Sequence, residues 1–252
     1  MSDNMQSIAE NERIEKIRKA EERSHFKMYS EHALFESGSW LAHPVKSVME
    51  LITHFQNYPS IRVLDLGCGV GRNSIPIAKA FSHIPCTIDC VDIMPYAVMK
   101  LYENAVAYGV EHSVCGVISS IEDYVIFSDT YDLVIAVSAL EHICSHDAML
   151  LKLQEIYHGL KSGGMLCMII STDITEQDYK SGGVLQPGFE INLSSNDLDD
   201  MIKSIFYDCD YLKQTRALQQ YVIPRESGDA LLSSNVCTYV IKKRGYRHET
   251  SD

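Results

Sequence analysis

Residues 63–71, VLDLGCGVG, alternate three glycines, Gly67, Gly69 and Gly71, directly after an apolar run carrying one acid, Asp65. A strand that ends in such a turn and opens into a helix offers backbone N–H groups and a positive helix end to a ligand. Small residues are needed there because a Cβ would block the approach. The residues that follow discriminate among ligands. A phosphate-cradling loop requires Gly-Lys-Ser/Thr, but Gly71 is followed by Arg72 and Asn73, so that reading fails. The dinucleotide pattern G-x-G-x-x-G requires a third glycine where Arg72 stands, which weakens that reading. A second apolar run ends in VDIMP, with Asp92 lying 27 residues after Asp65. An acid at a strand end can accept hydrogen bonds from both hydroxyls of a ribose. Glycine loop and acid together point to a nucleoside with a short charged tail. Simpler roles stand beside this one: Asp65 as a cap of the glycine turn, Asp92 as the N-cap of its helix, and Met94 as core.

Two further groups carry potential chemistry. Glu141-His142 follows Ser138-Ala139-Leu140, and histidine is the side chain most readily poised as a base near neutral pH; a structural role explains it equally well. His142-x-Cys144-x-His146 has the look of a metal site, but no fourth ligand is evident and Cys144 would leave the face shared by the two histidines. No metal is expected.

The elements that must position these groups alternate. Strands are expected at Ile61–Leu66, Cys86–Val91, Val114–Ser119, Tyr131–Val137 and Met165–Ser171, with helices at Asn73–Phe81, Tyr96–Tyr108 and Ala148–Leu160. Near-continuous apolar strands separated by helices signal an α/β fold, a doubly wound parallel sheet covered on both faces. Lys161-Ser162-Gly163-Gly164 reads as a helix C-cap. Residues 1–24 read as a charge-alternating helix or frayed arm. Residues 25–43 are rich in His and aromatics, and Val45, Val48, Met49, Ile52 and Phe55 predict one amphipathic helix. Residues 172–196, with Gly182, Gly183, Pro187 and Gly188, read as a loop or lid. Ser195-Asn196-Asp197 then caps a short helix, Asp197–Phe206. Strands within Tyr211–Tyr221 and at Val236–Lys242, linked through Pro224 to Gly228, predict an antiparallel pair closing the sheet. The expected division is a cap over residues 1–44, a catalytic domain over 45–245 and a tail over 246–252.

The chain has 252 residues, 46% of them hydrophobic, and a net charge of −12. That is enough for a sizeable buried core. The acidity argues against nucleic-acid or anionic-membrane partners, which need clustered Lys and Arg. Eight cysteines are scattered without a CxxC pair, mostly in strand-like runs. With a charged N-terminal stretch and no long apolar run, the expectation is a protein of the reducing cytoplasm.

Four segments in order, VLDLGCGVG, the strand-end Asp92, YDLVIAVSALEHI and LKSGGMLCMII, resemble the class I S-adenosylmethionine-dependent methyltransferases. Within them the chain is similar to the small-molecule group that includes tellurite-resistance and ubiquinone-type enzymes. The likeness covers roughly residues 45–172. It implies a Rossmann-like, mostly parallel seven-stranded sheet with an antiparallel last strand, and S-adenosylmethionine as cofactor. By the resemblance, Asp65 would act at the methionine ammonium, directly or through water, and Gly67, Cys68 and Gly69 would offer backbone groups to the methionine portion. Gly71 would let the helix start close by. Asp92 would hold the ribose, Ile93 and Met94 would lie against the adenine, and Ser120 and Ile121 would meet its edge, where the family's usual acid is replaced by serine. Ser138 would line the methyl channel. Tyr29, Trp40 and His142 would border a small-molecule acceptor.

Methyl transfer from a sulfonium expels a neutral thioether, so alignment and desolvation carry most of the catalysis. A thiolate acceptor needs no base; a hydroxyl or amine would call on a group such as His142. The rival expectations are a nicotinamide-dependent oxidoreductase, which the missing third glycine opposes, and a non-catalytic S-adenosylmethionine-binding module. The sequence specifies neither the acceptor nor an oligomeric state.

Overall fold

The computed structural model describes residues 2–225 and 228–245. Its centre is a sheet of eight strands: β1 (Ile61–Leu66), β2 (Cys86–Asp92), β3 (Val114–Ile118), β4 (Tyr131–Val137), β5 (Leu160–Asp178), β6 (Val184–Leu185), β7 (Cys209–Arg225) and β8 (Gly228–Lys243). Seven form the order β3-β2-β1-β4-β5-β8-β7, and β6 pairs with the outer end of β5. The first five are mutually parallel, whereas β8 runs antiparallel to both β5 and β7. The expected seven-stranded, doubly wound sheet with an antiparallel last strand is therefore present, extended by the short β6.

Side-chain alternation explains the apolar runs. Val63, Ile88, Cys90, Leu133, Ile135 and Cys167 enter the core on one face, with α3 (Ser74–Ala80) and α4 (Pro95–Ala107). Leu64, Leu66, Val134, Ala136, Leu166 and Met168 enter the other, with α5 (His146–Gly159) and α6 (Ser195–Ile205). Both faces of the central strands are covered, so most positions of β1, β2 and β4 are apolar.

Several boundaries depart from the sequence reading. Helix α1 runs Ser2–Glu31, absorbing the His- and aromatic-rich stretch to Glu31. The single helix expected over 45–55 is α2 (Lys46–Leu51) followed by a 3-10 turn, Ile52–Phe55. Gly163 and Gly164 do not cap α5: the helix ends at Gly159, and the glycines lie where the β4–β5 register jumps from Tyr131↔Leu160 to Leu133↔Met165. The expected loop over 172–196 begins as strand, because Thr172–Asp178 prolongs β5 along β8. Helix α6 starts at Ser195, and Ser194 caps it by accepting from Asp197 N at 3.1 Å. The tail over 246–252 lies outside the described residues.

Candidate functional site

A cavity of about 1,100 Å³ sits beyond the carboxyl ends of the parallel strands, where doubly wound sheets bind ligands. Its floor is the turns after β1, β2, β3 and β4, its roof is α1, and its far wall is the outer part of β7–β8. Of the residues singled out from sequence, Gly67, Cys68, Gly69, Asp92, Ile93, Met94, Ser120, Ile121, Ser138, Tyr29, Trp40 and His142 all line it.

The glycine turn is built by backbone bonds across the sheet. Gly67 N and Cys68 N donate to Val91 O at 2.8 and 3.0 Å, which draws the loop towards β2. Gly67 takes φ +71°, and a Cβ there would lie 2.5 Å from Ala139 Cβ; at Gly69 (φ +54°) it would lie 2.9 Å from the Tyr29 hydroxyl. Only glycine fits this space and conformation. Asp92 accepts from Gly69 N at 2.8 Å on one carboxylate oxygen and from Met94 N at 2.9 Å on the other. The helix after it is capped by Met94. Asp92 thus ties the two turns together while facing the cavity. Burial raises its pKa, opposed by the two backbone donors.

Asp65 and Gly71 stand elsewhere. Neither borders the cavity. Asp65 is buried behind the turn and accepts from Ser74 Oγ at 2.5 Å, and burial pushes its pKa up to about 7. In this placement the side chain braces the loop onto α3 through Ser74. Gly71 (φ +93°) makes room for Leu101 and Ile75, which lets α3 begin close to α4.

Around the rest of the cavity, Ser138 follows β4 with φ +49° and its N–H on Ile169 O at 2.8 Å, a turn that aims the chain into the cavity. The Ser120 hydroxyl is spent on Asp123 at 2.7 Å, leaving the backbone of 120–121 to meet a ligand. Glu141 is buried, takes Ser171 N on Oε1 at 3.2 Å and leaves Oε2 without a partner; burial raises its pKa. His142 stacks on Phe189 at 5.5 Å and shares a 2.9 Å hydrogen bond between Nδ1 and Glu190 Oε2. Burial alone would lower the imidazole's pKa, but the bond to Glu190 and the charges of Glu141 and Glu190 bring it up to about 9. Near neutral pH His142 is a cation and a donor. The base expected at this position already holds its proton.

Sequence reasoning missed the ionic roof. Arg18 of α1 reaches Glu122 at 2.5 Å and Glu190 at 3.4 Å, and Arg13 donates to Phe189 O and Glu190 O at 2.9 and 2.6 Å. The signal was present as spacing: Asn11, Ile14, Arg18, Glu22, His25 and Tyr29 form one stripe of α1, and all border the cavity. Beside the glycine turn Trp40 meets His25 and Tyr29 edge-on, with centroids 6.1 and 6.0 Å away. Among the described residues, no three of His, Cys, Asp and Glu converge as a metal site, and no helix is long and apolar enough to cross a membrane.

Comparison with known proteins agrees with this geometry. Residues 63–164 match the methyltransferase domain family. The chain is 30% identical over 128 residues to the carboxy-S-adenosyl-L-methionine synthase of Shewanella sp. (strain ANA-3), covering 51% of each protein. The enzyme of that name from Klebsiella pneumoniae (strain 342) is 28% identical over 127 residues. The chain spans about half the length of the curated relatives it matches. In fold it is similar to YcgJ from Bacillus subtilis (TM-score 0.55, 15% identity, 79% of this chain and 98% of that one). It is likewise similar to TehB from Haemophilus influenzae (TM-score 0.55, 16% identity, 78% and 62%). Residues 63–164 thus match the methyltransferase domain family, and the chain shares the fold of these solved structures. That family and fold imply S-adenosylmethionine as its cofactor.

Proposed function

We propose that this protein transfers the methyl group of S-adenosylmethionine to a small-molecule acceptor held in the same cavity. The observation that carries the reading is Asp92: a carboxylate oriented by Gly69 N and Met94 N at the mouth of a glycine turn too tight for any Cβ. Both features fit a ribose and an amino-acid tail. A cavity of about 1,100 Å³ exceeds most single-ligand sites, which span ~300–1,000 Å³, so cofactor and acceptor have room together.

Bound there, the cofactor would supply an electrophilic methyl on a sulfonium whose departure leaves a neutral thioether. Asp92 accepts the ribose hydroxyls. Ile93, Met94 and the backbone at Ser120–Ile121 flank the base, the backbone of Gly67, Cys68 and Gly69 meets the tail, and Ser138 borders the methyl channel. Tyr29 and Trp40 cover the site from the cap, residues 1–44; residues 45–245 form the methyltransferase domain, and 172–196, chiefly 186–194, the lid over the acceptor. His142, protonated and paired with Glu190, orients that lid and donates to the acceptor side. Catalysis rests on alignment and exclusion of water.

Isothermal titration tests the reading. S-adenosylhomocysteine should bind the wild type and lose about 10- to 100-fold in affinity in Asp92→Asn, where one of two charge-assisted ribose contacts is impaired. NAD should not bind. Preference for NAD would overturn the proposal, and binding of S-adenosylmethionine without turnover over amine, alcohol, thiol and acid acceptors would favour a non-catalytic module.

A further inference from the structure

The turn after β4 carries a second titratable group beside His142. Glu141 borders the cavity in the 3-10 turn Leu140–His142, three residues beyond Ser138, and is 2% exposed. Ser171 N, on β5, holds its Oε1 at 3.2 Å, and Ser171 lines the same cavity. Oε2 is buried and, among the described residues, accepts no hydrogen bond. The charge of Glu141 acts on His142 beside it and on Tyr221 of β7, in the far wall. Glu21 of α1 acts on the same two side chains. Glu141 therefore faces the space between floor and far wall, fixed at one oxygen and open at the other.

An unpaired buried carboxylate oxygen is unfavourable until a donor arrives. The nearby cations are engaged elsewhere: His142 Nδ1 shares its bond with Glu190, and Arg18 pairs with Glu122 and Glu190. An incoming ligand supplies the missing donor, so it must bring an O–H or N–H. An anion such as a thiolate has no proton to give Oε2 and meets its charge instead. Burial, opposed by the charge of His142, raises the pKa of Glu141, which makes this carboxylate a stronger base than one in water. His142 already holds its proton near neutral pH.

We propose that Glu141 Oε2 receives the proton of an O–H or N–H nucleophile during methyl transfer, so that the acceptor is a neutral alcohol, phenol or amine. The assignment rests on the reading of the cavity as a methyltransferase site. The acceptor's heteroatom bonds to the methyl carbon as the carbon–sulfur bond breaks, and the electron pair of that bond goes to sulfur. The proton leaves the heteroatom for Oε2, and the carboxylic acid so formed returns it to solvent after the product departs. The rings of Phe189 and Tyr221 on the cavity wall suit an aryl body.

Two measurements test it. In the first, S-adenosylmethionine is supplied with phenol, aniline and benzenethiol, and with their naphthyl counterparts; the aryl thiols ionise near neutral pH and need no base. Wild type should methylate the phenols or the anilines. Glu141→Gln should lower that kcat by about 100-fold, while transfer to the thiolates holds or rises. Glu141→Asp, which keeps the carboxylate but retracts it, should fall between the two and serves if the glutamine variant folds poorly. S-adenosylhomocysteine should bind all three proteins within about twofold by calorimetry. The second measurement needs no turnover: 4-nitrophenol is titrated spectrophotometrically in the S-adenosylhomocysteine-loaded protein. Wild type should keep it protonated to a pH about one unit higher than Glu141→Gln does, because the carboxylate repels the phenolate.

Equal loss with phenols, anilines and thiolates would overturn the assignment in favour of a structural Glu141. Unchanged kcat in the variant, or a wild type that methylates only the thiolates, would overturn it as well. Binding of S-adenosylhomocysteine with no transfer to any probe and no shift of 4-nitrophenol would instead refute the methyltransferase reading beneath it.

Discussion

Gly67→Ala is the sharpest structural test of the turn on which the site is built. Two costs act on the new methyl. Gly67 sits at φ +71°, and an L-residue in the left-handed region costs about 1–2 kcal/mol. The methyl would also lie 2.5 Å from Ala139 Cβ and 3.6 Å from Ala139 Cα, against an optimal carbon separation of about 3.5–4.0 Å. Ala139 has no rotamer with which to retreat, so the backbone between β4 and the turn after it must shift by roughly 1 Å, an overpacking cost of about 1–3 kcal/mol. Together these give about 2–5 kcal/mol, a large part of the ~5–15 kcal/mol that stabilises a typical domain.

Gly109→Ala isolates the first cost. Gly109 has φ +68°, and a Cβ there would meet nothing within 4 Å, so only about 1–2 kcal/mol is expected. The loss of unfolded-state freedom on replacing glycine is common to both variants and cancels in their difference. Urea unfolding should therefore place Gly67→Ala about 1–3 kcal/mol below Gly109→Ala. Adding Ala139→Gly should recover most of that gap, measured as a coupling energy in a double-mutant cycle. Because Ser138 adjoins Ala139, the shift also reaches the cavity wall, and S-adenosylhomocysteine should bind less tightly to Gly67→Ala but not to Gly109→Ala. Equal destabilisation of the two variants, or a cycle with no coupling, would refute the reasoning.

Two pH effects follow from the ion pairs. The pKa of His142 stands at about 9, above its unfolded value, so its pairing with Glu190 stabilises fully below about pH 6.5 and is lost as pH rises through 9. The stability gap between wild type and Glu190→Gln should narrow by about 1–3 kcal/mol across that window; a gap that stays flat from pH 6 to 9.5 would disprove the pairing. Asp65 is shifted the same way, to about 7, but as an acid its charged form is the disfavoured one. Wild type should therefore lose stability relative to Asp65→Asn as pH rises from about 4 to 7, with no further change above, as read by denaturant midpoints at fixed ionic strength.

What was legible in the sequence is what burial on two sheet faces writes into it. Strands β1, β2 and β4 are largely apolar runs because both their faces are covered, and the glycines of the first turn mark positions where backbone alone fits. The outer half of β5 was hidden for the converse reason. Thr172, Ile174 and Glu176 all point inward and are buried, but Glu176 is neutralised by Arg225 on β7, so the alternation of a strand survives while its hydropathy does not. Helix α1 was obscured in the same way. Part of its link to the domain runs through Arg13 and Arg18 to groups more than 100 residues away, and charge pairs of that range leave no local pattern. The shift from Ser195 to Ser194 as the cap of α6 is smaller, one serine taken for its neighbour.

The distribution of paired charge explains why the cofactor end speaks so clearly and the acceptor end so little. At the glycine turn, Asp92 is held by neutral backbone donors and Arg72 by a carbonyl and an indole ring. Both charges face the cavity, and on the proposed reading Asp92 meets the ribose. On the far side Arg18 is shared between Glu122 and Glu190, Glu190 also holds His142, and Arg225 is spent on Glu176. Charges already satisfied within the wall offer an incoming ligand little Coulombic gain. The surfaces left to it there are the rings of Phe189 and Tyr221 and the aliphatic Ile223 and Leu232, which favour fit over charge. On the proposed reading, an acceptor selected by shape leaves no motif in a sequence, whereas a cofactor held by a fixed carboxylate and a glycine turn leaves both.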